Sequence, residues 1–138
     1  MIFVLFSFNV FACKPAGLEH CSNGMISVDQ KSFDQLLKKI KTYQGQMDKV
    51  IRYPANRSSC FNNHFANYYG DQFKEELKKT KGKACQKTIA QVESAFKSLV
   101  STKSLEFRSI PDAAREHFED EADDLESEIK SFFKKIKR

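Results

Sequence analysis

Ser27 to Pro54 reads SVDQKSFDQLLKKIKTYQGQMDKVIRYP. Within it Phe33, Leu36, Leu37, Ile40, Met47, Val50 and Ile51 recur mostly three and four residues apart, which draws one apolar stripe along an α-helix. Ser27 with Gln30 has the pattern of a capping box at the helix start. Tyr53–Pro54 closes the run, because the residue before a proline is kept out of helical geometry. Gly45 lies inside the run, costs about 1 kcal/mol relative to alanine and marks the expected position of a bend.

The same period returns three more times. Phe61, Phe65, Tyr68, Tyr69, Phe73 and Leu77 predict a second helical segment from about Ser58 to Thr80, with Gly70–Asp71 expected to break or kink it. Lys81–Gly82–Lys83 reads as the following turn. A third helix carries Ala84, Cys85, Ile89, Val92, Phe96, Leu99 and Val100. The fourth opens at Ser109-Ile110-Pro111-Asp112, where Ser109 can cap and Pro111 suits a first turn. Its stripe of Phe118, Ala122, Leu125, Ile129, Phe132, Phe133 and Ile136 implies a length of roughly 35–40 Å. No stretch alternates with period two over strand length, and the single Asn-Gly dipeptide, Asn23–Gly24, is not flanked by two alternating runs. The expected fold class is therefore all-α: a disulfide-stapled bundle of about four antiparallel helices.

Residues 1–12, MIFVLFSFNVFA, are uncharged and almost wholly apolar, too short to span a bilayer as a helix. Val10 and Ala12 fit the −3 and −1 positions of a signal-peptidase site, although no Lys or Arg precedes the run. A buried N-terminal strand or helix is the rival reading. Cys13, Cys21, Cys60 and Cys85 form an even set in a short chain, the pattern of two bridges in an oxidising compartment. The division expected is a signal peptide at 1–12, a disulfide-bearing segment at 13–26 and a helical bundle at 27–138. Cys60 and Cys85 each begin a helix, and consecutive antiparallel helices start at opposite ends of a bundle. A straight second helix holds these two cysteines beyond the ~4–7 Å between Cα atoms that a bridge allows. Cys13 and Cys21 are then each expected to join one of Cys60 and Cys85. A break at Gly70 would restore Cys60–Cys85 with Cys13–Cys21. Asn56-Arg57-Ser58 is an N-glycosylation sequon.

Charge is segregated along the chain. Cys13 to Pro111 holds 17 basic and 9 acidic residues, whereas Asp112 to Glu128 holds 9 acidic and 1 basic. Ile129 to Arg138 adds five more positives, giving net +5 overall. Acids near a helix start and bases near its end are stabilising in themselves, and an acidic helix can also lie against basic neighbours. The functional alternative is a docking surface, for which Lys74, Lys78, Lys79, Lys81, Lys83 and Lys87 are the candidate partner-binding residues. An extracellular protein is the expected partner and an anionic glycan an alternative. Nucleic acid is not expected, and the oligomeric state is left open. The cluster Phe61, Phe65, Tyr68, Tyr69 and Phe73 reads as core or, alternatively, as the lining of a hydrophobic-ligand cavity. The Phe132, Phe133 and Ile136 tail continues the core stripe.

No catalytic constellation is legible. Nucleophilic catalysis needs an activated Ser or Cys beside a base, and the cysteines are committed to bridges. His20, His64 and His117 are isolated and no CxxC or HxxxH spacing occurs, so neither a metal nor a cofactor is expected. The four cysteines, the lysine-rich helices and the long terminal helix resemble in layout the small salivary proteins of anopheline mosquitoes of the anophensin and albicin type. That resemblance implies a secreted inhibitor of a host plasma cascade, either contact activation of the kinin system or the alternative complement pathway. It transfers no functional residue. A carrier of a lipid or other small hydrophobic ligand and a cytokine-like helical ligand share the layout.

Overall fold

In the computed structural model, residues 18, 21, 24–51 and 62–136 are described. The elements in chain order are β1 (Met25–Ser27), α1 (Gln30–Val50), α2 (Asn62–Lys79), β2 (Lys83–Cys85), α3 (Gln86–Val100), α4 (Leu105–Arg108) and α5 (Asp112–Lys134). The proposed signal peptide, Cys13, Asn56, Cys60 and Phe61 lie outside the described residues, as does the side chain of Phe65.

The four long helices form a ring in which α1 packs on α2 and α5, and α3 packs on α2 and α5. Phe33 near the start of α1 meets Phe73 near the end of α2, with ring centroids 4.9 Å apart. Phe33 also lies 5.9 Å from Phe96 of α3 and from Phe132 at the end of α5. The Val28 amide just before α1 bonds to the Gly82 carbonyl just before β2 and α3, so α1 and α3 start at one end, where α2 and α5 finish. The helices run up, down, up and down, and phenylalanines of all four meet between them. Phe33, Phe73, Phe96 and Phe133 are all buried, with Phe33 at 0% exposure. Burying side chains of this size contributes about 1.5–3 kcal/mol each, which makes this layer a large part of what holds the ring.

Two glycines sit inside helices without breaking them. The helix α1 runs through Gly45, and α2 runs through Gly70, where the sequence suggested an interruption. A Cβ on Gly70 would fall 2.4 Å from Leu37 Cδ1 and 3.4 Å from the Phe96 ring, so the glycine lets α1 and α3 close on α2. A Cβ on Gly45 would meet nothing within 4 Å.

The start of α1 also differs from expectation. Ser27 belongs to β1, and the N-cap is Asp29, whose Oδ1 accepts from the Lys31 and Ser32 amides at 3.0 and 3.3 Å. At the other expected start, Pro111 is the N-cap of α5 and makes no side-chain cap bond, while α4 is a single turn that the periodicity did not indicate.

The two three-residue strands pair antiparallel, Met25 with Cys85 and Ser27 with Lys83. No strand was expected, because three residues are too few to show a period of two. The Cys21–Cys85 disulfide fastens this ribbon, with Cα atoms 5.9 Å apart. This pairing excludes a Cys60–Cys85 bridge. Met25 Sδ lies 3.3 Å from Cys21 Sγ and 3.8 Å from Cys85 Sγ. Bridged sulfurs carry no hydrogen, so this contact is packing and not hydrogen bonding.

Candidate functional site: a basic pole and a groove between the first and last helices

The turn after α2 is built by its backbone. The Gly82 amide donates to the Leu77 carbonyl at 2.8 Å and the Thr80 amide to Glu76 at 3.0 Å, which satisfies carbonyls left over at the helix end. Lys81 adopts a left-handed φ of 56° and Gly82 one of 87°. A left-handed backbone costs a residue with a Cβ about 1 kcal/mol or more, so Lys81 occupies a position that glycine would fill more comfortably. The turn docks on the start of α1 through the Val28 amide, which donates to the Gly82 carbonyl at 2.7 Å.

That docking gathers the lysines. Lys78 and Lys79 end α2, Lys81 and Lys83 flank Gly82, and Lys87 lies in the first turn of α3; all five are exposed, while Lys74 is half-buried one turn deeper. Because α5 runs antiparallel to α1, Lys135 at its C-cap shares a surface groove with Ser32 and Gln35. Lys134 and Lys135 therefore join Lys31 at the same end of the bundle. The sequence pointed to the residues from Lys74 to Lys87 but missed these three, which are remote along the chain and become neighbours only through helix direction. The acids at this end are fewer than the lysines: Asp29 is occupied as a cap, Glu75 approaches Lys78 at 3.5 Å, and Asp34 and Glu76 lie on α1 and α2. The C-termini of α2 and α5 favour Lys78, Lys79 and Lys134 at this pole, whereas the N-termini of α1 and α3 at the same pole disfavour Lys31 and Lys87.

The acidic stretch occupies the other half. Glu116, Glu119, Asp120 and Asp123 are exposed on α5 toward its start. Part of the stretch does lie against basic neighbours, because Glu128 pairs with Lys39 of α1. Lys41 pairs with Asp71 of α2 at 2.6 Å. These are exposed pairs, each contributing about 0–1 kcal/mol.

The aromatic cluster divides. Phe73 is sealed in the core, Tyr69 packs partly against it and Tyr68 faces outward at 38% exposure. Of the cluster's described side chains, Phe73 and Tyr69 fill the interior and Tyr68 lies on the surface. His117 is exposed, with its ring 5.3 Å from that of Phe118. Among the described residues no three His, Cys, Asp or Glu side chains gather to hold a metal, and no helix is long and apolar enough to cross a membrane.

A groove of about 650 Å³ runs between α1 and α5. Tyr43 and Leu125 form its floor, with lysines on the α1 side and carboxylates on the α5 side. Tyr43 is 2% exposed and packs against Phe118 with centroids 6.0 Å apart. Its hydroxyl is buried and has no hydrogen-bond partner. Burial first, and the Glu121 charge second, push its phenol well above the ordinary tyrosine range.

No protein-family model, curated protein or solved structure matches this chain.

Proposed function

We propose that this chain is a secreted, non-enzymatic binding protein that covers an acidic surface of an extracellular protein with its basic pole. Inhibition of a plasma cascade, either contact activation or the alternative complement pathway, is the specific role proposed. The observation that carries the reading is Lys81. A lysine kept in a left-handed turn where glycine is less strained, at the centre of a lysine-rich pole, is explained by use of its charge. The disulfide beside the turn supports it too, because a fixed backbone lowers the ordering cost of docking.

The test adds pure protein to plasma and follows kallikrein generation and complement C3 deposition. One of the two should fall in the presence of the parent protein. Reversing Lys81, Lys83, Lys134 and Lys135 to Glu should abolish the effect with the helical circular dichroism unchanged, and neutralising Glu119, Asp120 and Asp123 should leave it. Unchanged kallikrein generation and C3 deposition with the parent would refute the cascade role. Full inhibition by the reversed variant would refute docking through the pole.

A further inference from the structure

We propose that the groove between α1 and α5 is a binding site for a small organic primary ammonium ion. The argument starts from the Tyr43 hydroxyl, buried without a partner on the groove floor. Buried polar groups are almost always satisfied, and an unsatisfied one costs about 1–3 kcal/mol. Glu121 and Asp124 line the same groove, and neither enters an ion pair among the described residues. An ammonium group carries three donors and no acceptor. Tyr43, Glu121 and Asp124 all line the groove, and each carries oxygen that can accept from such a group.

The rest of the groove sets the body of the ligand. Leu125 and the Tyr43 ring give an apolar floor on which a short aliphatic or aromatic chain can lie. The Lys39–Glu128 pair bounds one side of the groove, so Glu121 and Asp124 remain the carboxylates open to a guest. Its size falls within the range usual for small-molecule sites. The neutral phenol favoured by burial keeps oxygen lone pairs with which to accept from an ammonium group. This site is separate from the basic pole and does not depend on the function proposed for that pole.

The experiment titrates the full protein with phenethylamine by calorimetry and thermal shift at neutral pH, with 2-phenylethanol as the uncharged isostere. Saturable binding of the amine is expected, with a dissociation constant on the order of 0.1–1 mM for a ligand this small, and none of the alcohol. Tyr43→Phe should melt no lower than the parent, because it removes an unsatisfied group, yet lose affinity about tenfold or more. Glu121→Gln and Asp124→Asn should each lose about as much. Glu119→Gln makes the same charge change on the same helix outside the groove and should leave affinity unchanged. The proposal is overturned if the amine does not bind or if the alcohol binds equally well. Equal loss on Glu119→Gln, or undiminished binding by Tyr43→Phe, would overturn it as well.

Discussion

Gly45 and Gly70 offer a matched pair, since both lie inside helices and differ only in what surrounds them. Replacing either with alanine removes the same backbone entropy from the unfolded chain and gains the same helix propensity, about 1 kcal/mol. At Gly45 the new methyl meets open space, so Gly45→Ala should raise the melting temperature by roughly 3–5 °C. At Gly70 the methyl falls 2.4 Å from Leu37 Cδ1, and the Phe96 ring at 3.4 Å leaves it little room. Overpacking of this kind costs about 1–3 kcal/mol. The propensity gain cancels between the variants, so Gly70→Ala should lie below Gly45→Ala by that amount in urea unfolding. Leu37→Val removes the clashing methyl, so the alanine penalty should shrink in that background and appear as a favourable coupling in the double-mutant cycle. If Gly70→Ala is as stabilising as Gly45→Ala, the close approach of α1 and α3 to α2 is wrong.

Replacing Cys21 and Cys85 together by alanine should cost about 4 kcal/mol on the chain-entropy account, because the bridge spans 64 residues of sequence; equilibrium unfolding measures it. Peptide mapping without reduction should recover Cys21 joined to Cys85 and, as the only pairing left, Cys13 joined to Cys60. The Asp29 carboxylate is held below its ordinary value, chiefly by the Ser32 amide and hydroxyl and also by the Lys31 amide. Its contribution is present at neutral pH and is lost as the pH falls below the ordinary carboxylate value of 3.8 and through its depressed folded value. Asp29→Asn should keep the cap while flattening that acid limb of a stability-against-pH curve. The Tyr43 phenol is held above its ordinary value, so its contribution is complete below the ordinary tyrosine pKa and is lost only as pH rises through the folded value. A tyrosinate absorbance titration should show one late component, absent in Tyr43→Phe.

Helix periodicity made the bundle legible because seven or so apolar residues repeat in each long segment and one misplaced residue does not hide the stripe. The short features had no such redundancy. Met25–Ser27 and Lys83–Cys85 are strands only because each finds the other, and Asp29 outcompetes Ser27 as a cap because Ser27 is held in that ribbon. Gly70 looked like a helix breaker for the same reason that it is a packing residue: the lack of a side chain serves both purposes, and only the neighbours decide. At the candidate site, Lys74 to Lys87 stood out through local density. Lys31, Lys134 and Lys135 did not, since their proximity depends on which way α1 and α5 run. The groove was invisible because Tyr43 reads as an ordinary aromatic until its hydroxyl is found without a partner.

The ring order carries a kinetic meaning. Three of its four seams join helices that follow one another along the chain, so they can form by local closure, which is fast. The fourth, between α1 and α5, must bring residues about ninety apart together, as Lys39 and Glu128 show with a separation of 89. The Cys21–Cys85 bridge shortens the search for α1 and α3 but does nothing to hold α5. The last helix is thus the element expected to detach first as a cooperative unit, with its amides exchanging hydrogen sooner than those of α2 and α3. Any molecule lodged in the groove spans that seam and slows its opening.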